Sequence, residues 1–365
     1  MKRAWMAVGA VAGAAALGGL ALITTGVLDE WSMDSYAQRR MAPFASPRDG
    51  GSAPAARTPP PAAASATAGI EAAEANSAGT AARGAFRPPD ESAIPEGPYG
   101  DVVRRGREIF TDTPAAASAF VGNSLRCSSC HLDAGRLADS APLWAAWVSY
   151  PAYRGKTRSV NTYEQRLQGC FQYSMNGTAP PPGDPVLVAL EAYSYWMASG
   201  ARVDPELPGR GYPRLAAPPQ PPDFVRGQAV YQRSCALCHA SDGNGQRTAD
   251  GHAVFPALWG PDSFNWGAGM ARLSNAAAFI RANMPLGLPG TLSVQEAWDV
   301  ALFMNSHERP QDPRYAGSVA ETRRRYHDTP DSMYGLKVGT RLLGDSGPPR
   351  RGPAPAKPTA AEKVP

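Results

Sequence analysis

The sequence predicts an all-α molecule of two tandem helical domains behind a long polar lead-in. Three observations carry that expectation. Apolar residues recur at helical spacing in four segments, and these form two copies of one order, helix, cysteine motif, helix. Period-2 alternation, the mark of a half-buried strand, is scarce. Proline-rich stretches lie before, between and after the two copies, where a packed core is not expected.

The first segment, residues 1–30, opens Met1-Lys2-Arg3, continues uncharged from Ala4 to Leu28 and closes with Asp29-Glu30. It reads as an export signal. The run is longer than the ~7 to 15 residues of a cleavable apolar region and near the ~20 of a membrane span. The small-x-small candidate Thr24-Thr25-Gly26 is weak. An uncleaved transmembrane anchor is therefore expected, with Lys2 and Arg3 inside; a cleaved, soluble form is the alternative. Residues 31–95 are rich in Ala, Pro, Gly, Ser and Thr, with little to bury, and are expected to be a disordered linker. Its reach is on the order of 40 Å.

Domain 1 is expected over 96–204. Its opening helix is Tyr99-Gly-Asp-Val-Val-Arg-Arg-Gly-Arg-Glu-Ile-Phe110, and its closing helix is Pro185-Val-Leu-Val-Ala-Leu-Glu-Ala-Tyr-Ser-Tyr-Trp-Met197. The stretch 205–222 holds seven prolines and cannot continue a helix, so it is the connector. Domain 2, over 223–320, repeats the order with Phe224 to Tyr231 and Val294 to Met304. A C-terminal extension, 321–365, is expected to be disordered from about 345. Tyr193, Trp196 and Trp298 in the closing helices read as core residues packed on a cofactor rather than as redox relays.

Five cysteines are present, and four form Cys127-Ser-Ser-Cys130-His131 and Cys235-Ala-Leu-Cys238-His239, leaving Cys170. CxxCH is the signature of covalent haem c attachment, with two thioethers and the histidine on the iron. A redox disulfide or half a zinc site would explain neither the His nor the repetition. Two haem c groups are implied, attached outside the cytoplasm, each in a domain of cytochrome c type. The net charge is +4 and the folded part is close to neutral, so nucleic acid is not an expected partner.

Each iron needs a sixth ligand. The remaining histidines, His252, His307 and His327, all lie in or beyond the second half, so the first haem must choose among Cys170, Met175, Met197 and Lys156. For the second haem, Met284-Pro285 places a methionine 45 residues after His239, with Met270 and Met304 as fallbacks. The same interval from His131 reaches Met175, 44 residues on. Counting instead from the start of the preceding helix, near Asn161-Thr162 and Ser274-Asn275, Met284 corresponds to Cys170, and insertion within a helix is harder than before it. That count favours Cys170. If the helix runs Thr162 to Ser174, with Thr162 and Gln165 forming a capping box, then Arg166, Cys170 and Ser174 share a face. A guanidinium there favours thiolate.

The string Arg166-Leu-Gln-Gly-Cys170-Phe171-Gln-Tyr-Ser174-Met-Asn176-Gly177 between two CxxCH motifs resembles the dihaem cytochrome c thiosulfate dehydrogenases. Trp259-Gly260, Phe264-Asn265, Gly267-Ala-Gly269-Met270, Asn283-Met284-Pro285 and Glu296-Ala-Trp298-Asp299-Val300-Ala301 extend the likeness over most of 97 to 312. The resemblance implies a catalytic first haem on His131 and Cys170 and an electron-exit haem on His239 and Met284. It implies oxidation of two thiosulfates to tetrathionate, Cys170 bonding transiently to a substrate sulfur, and Arg158, Arg166, Ser174 and Asn176 as candidates to grip sulfonate oxygens. An acceptor cytochrome or membrane redox partner, and a place on the periplasmic side of the bacterial inner membrane, are further expectations. Some family members exchange Met for Lys at the second haem, but no lysine lies between Lys156 and Lys337. Two other readings compete: a membrane-tethered dihaem shuttle without catalysis, favoured by the tether, and an electron-accepting subunit of another sulfur-oxidising system.

Overall fold

The computed structural model describes residues 84–349 apart from position 250. The expected anchor, most of the linker and the last part of the tail lie outside those residues. Among the described residues no helix is long and apolar enough to cross a membrane. Seven α-helices of five residues or more lie among them: α1 (Pro98–Thr111), α2 (Leu143–Trp147), α3 (Tyr163–Gly169), α4 (Pro185–Met197), α5 (Phe224–Ser234), α6 (Leu273–Asn283) and α7 (Val294–Asn305).

Each half is organised around one helix crossing. In α1 the buried positions Val103, Gly106, Ile109 and Phe110 make a stripe that packs on α4. The backbones meet so closely that a Cβ at Gly106 would lie 2.0 Å from the Ala189 carbonyl oxygen. In the second half α5 crosses α7, and a Cβ at Gly227 would lie 2.1 Å from the Asp299 carbonyl oxygen. The internal repeat is thus a repeat of geometry. Both helices carry it as Arg-Gly-x-x-(Ile/Val)-(Phe/Tyr), Arg105 to Phe110 and Arg226 to Tyr231. The second crossing is fastened further by Arg226 Nε, which donates to Asp299 Oδ2 at 2.7 Å.

The fold is mostly helical but not purely so. Three two-stranded antiparallel hairpins are present among the described residues, β1–β2 (Ala152–Arg154, Ser159–Asn161), β3–β4 (Gln246–Arg247, Ala253–Phe255) and β5–β6 (Lys337–Val338, Arg341–Leu342). Strands of two or three residues carry too little alternation to read from sequence. The linker, expected to be disordered to 95, is already packed from 84. Phe86 lies 5.4 Å from the Trp144 ring, Arg107 Nε donates to Glu91 Oε1 at 2.7 Å, and Arg136 donates to the Pro89 carbonyl at 2.6 Å. One aromatic ring and a few polar groups facing arginines suffice to order a segment whose composition is otherwise that of a spacer.

The connector does lack a helix, yet it is built into the body. Leu207 is buried, the Tyr212 ring stands edge-on to Phe279 of α6 at 5.5 Å, and the Ala216 carbonyl accepts from Trp298 Nε1 at 2.9 Å. Trp298 is therefore a clamp on the connector, whereas Tyr193 and Trp196 are buried as expected. The extension past 321 also folds. A turn at Val319–Thr322, a π-turn at Arg323–His327 and the β5–β6 hairpin lie on the body. Asp331 carries α6: its carboxylate accepts from Ser274 N and Oγ, both at 2.7 Å.

All described residues fall in one compact unit. The halves are joined by paired amides. Asn123 Nδ2 donates to Ser174 O at 2.9 Å and Ser263 O at 3.1 Å, and Asn265 Nδ2 donates to Gln172 O at 2.9 Å. Both asparagines are buried.

Candidate active site

The two CxxCH segments sit in short helical turns, the second directly after its crossing helix and the first after two intervening turns, Thr113–Ala116 and Ser118–Phe120. Cys127–Ser129 is one turn and Ala236–His239 the other. In each, the histidine is oriented the same way. His131 Nδ1 pairs with the Ala141 carbonyl at 2.7 Å, and His239 Nδ1 with the Pro256 carbonyl at 2.9 Å. A carbonyl can only accept, so Nδ1 carries the proton and Nε2 presents its lone pair. An iron-ligating imidazole is held from behind in this way. Burial pushes His131 down to about 4 and lowers His239, which keeps both rings neutral and able to coordinate.

The thiols fit the same purpose. All five cysteines are free. Burial pushes Cys127 and Cys235 up to about 12 and Cys130 up to about 11. Among the described residues no group of three or more His, Cys, Asp or Glu is placed to hold a metal ion by itself, so a zinc site lacks its ligand set. Two free thiols followed by a fixed imidazole with Nε2 open are the donor set of haem c, and both segments provide it.

Cys170 sits at the C-cap of α3. Thr162 is the N-cap, its hydroxyl accepting from Gln165 N at 3.2 Å while Gln165 Oε1 accepts from Thr162 N at 2.9 Å. The helix expected to reach Ser174 changes form at Cys170, where residues 170–174 make a π-turn. It closes through Met175 N to Cys170 O at 3.0 Å and Gly177 N to Phe171 O at 2.9 Å, with Asn176 in the left-handed region at φ 47°. The wider turn moves Ser174 off the row it would hold in an α-helix. Arg166, one α-turn before the cysteine, keeps its place: its Nη1 donates to Cys170 Sγ at 2.8 Å. The sulfur's charge is the largest cause of the rise in Arg166 above the usual arginine range. This is a guanidinium held directly against the cysteine sulfur.

The helix count by which Cys170 matches Met284 needs correction. The second helix starts at N-cap Arg272, not at Ser274 or Asn275, because Asp331 from the extension binds the Ser274 amide and hydroxyl. Cys170 is eight positions past its N-cap Thr162 and Met284 twelve past Arg272, a difference of one turn. Both nevertheless stand at the C-cap of the helix before the ligand loop. Among the other candidates, Met270 is half-buried at the edge of the core, as Met284 is. Met175, Met197 and Met304 are buried in the apolar core, and Lys156 Nζ donates to the Gly267 carbonyl. Met284 itself is only half-buried.

The remaining substrate candidates are dispersed. Arg158 is exposed at the tip of the β1–β2 hairpin with φ 53°. Asn176 Oδ1 accepts from Asn265 Nδ2 at 3.2 Å, part of the seam between halves. Sequence reasoning named Lys156 only as a possible iron ligand and missed Tyr173, Tyr212 and Arg314 altogether. Burial pushes Lys156 down to about 7, and the charges of Arg314 and Arg166 push the same way, so these cations share one field. Lys156 Nζ lies 4.4 Å from the Tyr173 ring centre, and Arg314 lies 5.4 Å from it. Tyr150, Tyr163 and Tyr212 all lie near Arg166. Arg314 and Tyr212 lie far from Arg166 along the chain, the latter in the connector, so no local pattern could have found them.

Comparison with known proteins places these features in a group. Residues 222–304 match the family model for cytochrome C oxidase, cbb3-type, subunit III. The chain is similar to the thiosulfate dehydrogenase of Thiomonas intermedia (strain K12), 60% identical over 74% of this chain and 86% of that protein. It is 53% identical to the thiosulfate dehydrogenase of Stutzerimonas stutzeri (strain A1501), over 71% of this chain and 85% of that one. Among solved structures, thiosulfate dehydrogenase TsdBA from Marichromatium purpuratum, in its as-isolated form, superposes with a TM-score of 0.69 at 50% identity. That match covers 72% of this chain and 58% of the other.

Proposed function

The chain belongs to the thiosulfate dehydrogenase family, and from that premise we propose that its reaction is carried by Cys170 and Arg166 at a haem c held by Cys127, Cys130 and His131. It is an oxidoreductase, a dihaem cytochrome that oxidises thiosulfate. Two covalent haem c groups follow from the paired donor sets, the second held by Cys235, Cys238 and His239 with Met284 as its sixth ligand. Cys170 is the sixth ligand of the first. When bound, each haem supplies a one-electron sink at its site.

The Arg166–Cys170 contact at 2.8 Å carries this reading. The guanidinium faces the sulfur, and its remaining N–H groups can hold a sulfonate oxygen. The Cys170 thiolate bonds to the sulfane sulfur of one thiosulfate, and that bond forms with loss of two electrons. A second thiosulfate attacks the bound sulfane sulfur, tetrathionate departs, and Cys170 regains its electron pair as leaving group. No proton is required. Lys156, when protonated, adds positive potential that favours entry of a dianion, whereas the charge of Arg314 is offset by Asp312. Tyr163, whose hydroxyl donates to Ser194 at 2.8 Å, walls the site and limits water. Ser174, Asn176 and Arg158 complete the set of candidates for sulfonate contact.

Tetrathionate as product, an acceptor cytochrome or membrane redox partner, and a periplasmic position anchored through residues 1–30 belong to the same proposal. The pairing of Arg166 with Cys170 favours the enzyme over a non-catalytic shuttle, which needs no thiolate beside a guanidinium. The test is Cys170→Met in the haem-loaded chain. Thiosulfate should no longer reduce the haems, although both stay low-spin; full turnover in this variant would sink the catalytic assignment.

A further inference from the structure

The three-residue loop Asp139-Ser140-Ala141 orients His131 through the Ala141 carbonyl, and its other contacts are used by neither the haem motifs nor the proposed chemistry. Two of its residues are strained. Asp139 and Ala141 hold φ of 62° and 51°, the left-handed region that favours glycine. Such backbone persists where surrounding bonds over-determine it. Here they do so on every side. The Ala141 carbonyl holds His131 Nδ1 at 2.7 Å. The hydroxyl of Ser140, fully buried, accepts from Leu132 N at 2.7 Å and donates to the Cys130 carbonyl at 3.1 Å. From the connector, the Gly209 carbonyl accepts from Asp139 N at 2.8 Å and the Gly211 carbonyl from Ala141 N at 2.7 Å.

The last contact crosses to the other half. Asn283, buried on α6, donates from Nδ2 to the Asp139 carbonyl at 3.1 Å, and also to the Phe279 carbonyl of its own helix at 3.1 Å. The next residue in the chain is Met284. A continuous run of covalent and hydrogen bonds therefore leads from the His131 imidazole, through Ala141, Ser140 and Asp139, to the Asn283 amide and the Met284 backbone.

Resting on His131 and Met284 as ligands of the two haems, we propose that the 139–141 loop and Asn283 form a strut between them, which fixes their mutual geometry and carries the electron passing from one site to the other. Electronic coupling decays less steeply along bonded paths than across gaps, so an unbroken bonded path between two axial ligands is a favoured route. Only an electron moves: one iron is oxidised as the other is reduced, and no bond of the strut changes. The strain at Asp139 and Ala141 is then explained, since an unstrained loop would not bring the Asp139 carbonyl to Asn283 while the Ala141 carbonyl holds His131. Asn283 is a positioning residue in this scheme, because it acts through Met284 and Asp139.

The test uses the haem-loaded full chain. Near-infrared and visible spectra first establish the ligands: absence of the methionine-to-iron band from wild type would overturn the Met284 assignment and the strut with it. Electron exchange between the haems is then timed after flash photoreduction in wild type and in Asn283→Leu, which keeps the side chain's size and removes the Nδ2 donor. Slowing by about tenfold or more, with the methionine band retained, supports the strut; exchange at the wild-type rate overturns it with the ligand assignment intact. Should Asn283→Leu lose Met284 ligation or fail to fold, Ser140→Ala decides. It frees the loop from the Cys130–Leu132 segment without touching α6, and an unchanged rate there likewise overturns the proposal.

Discussion

Cys170 is chemically distinct because of one neighbour four residues before it. The α-helical rise from Arg166 ends at the cysteine, so the guanidinium reaches Sγ at 2.8 Å before the π-turn widens the backbone. Replacing Arg166 with Ala should lower kcat/KM for thiosulfate about a hundredfold, and Arg166→Lys should recover only part, because an ammonium lacks the planar fork. Steady-state haem reduction against substrate concentration checks this. Lys156 predicts a pH dependence of stability. Its folded value is pushed down to about 7 while the unfolded chain keeps the ordinary value of 10.5. Between these the unfolded state binds the extra proton, so stability rises with pH across that window. Urea midpoints measured from about pH 7 to 9 should climb in wild type and climb less in Lys156→Met.

At the scale of elements, the two helix crossings are set by two glycines. A Cβ at Gly106 or Gly227 would overlap a carbonyl oxygen of the partner helix, at 2.0 and 2.1 Å, and backbone cannot yield as a side chain tip can. Gly106→Ala and Gly227→Ala are expected to cost about 3 kcal/mol each or to prevent folding. Gly155→Ala, with nothing within 4 Å of its added methyl, should be nearly neutral. Denaturant unfolding of the three variants is the check, and equal stability among them would show that the helices can separate freely. The crossings were legible in sequence as helical periodicity in both halves. The π-turn was not, because Thr162 to Ser174 has the composition of an uninterrupted helix, and only the closure of Met175 N on Cys170 O defines where it widens.

For the whole molecule, the halves and the extension are a single body. The extension is held by Asp312, fully buried, whose carboxylate accepts from Arg314 Nε at 3.0 Å and Nη2 at 2.6 Å and from His327 Nε2 at 2.9 Å. Burial alone would raise Asp312; the bonds from His327 and Arg314 hold it well below the usual carboxylate range. Asp312→Asn should cost about 3 kcal/mol, since it leaves the partly buried Arg314 without its charge partner. The same variant should loosen Arg314 from Tyr173 and so change the first site, although Asp312 and Tyr173 lie far apart in the chain. Thermal unfolding and the KM for thiosulfate, read together, test both effects.

The sequence by itself determined what is local. Two CxxCH motifs, the unpaired Cys170, the capping box at Thr162 and the four apolar helices each depend on residues within a turn or two, and periodicity and spacing record them directly. Tertiary structure alone decided which distant groups meet. Asp331 reaches back to the first turn of α6, a connector that reads as a spacer supplies Tyr212 and the carbonyls that brace the 139–141 loop, and Asn283 reaches across to Asp139. Most of these contacts join residues far apart in the chain through backbone amides and carbonyls, which nearly every residue carries alike, so no pattern of side chains announces them.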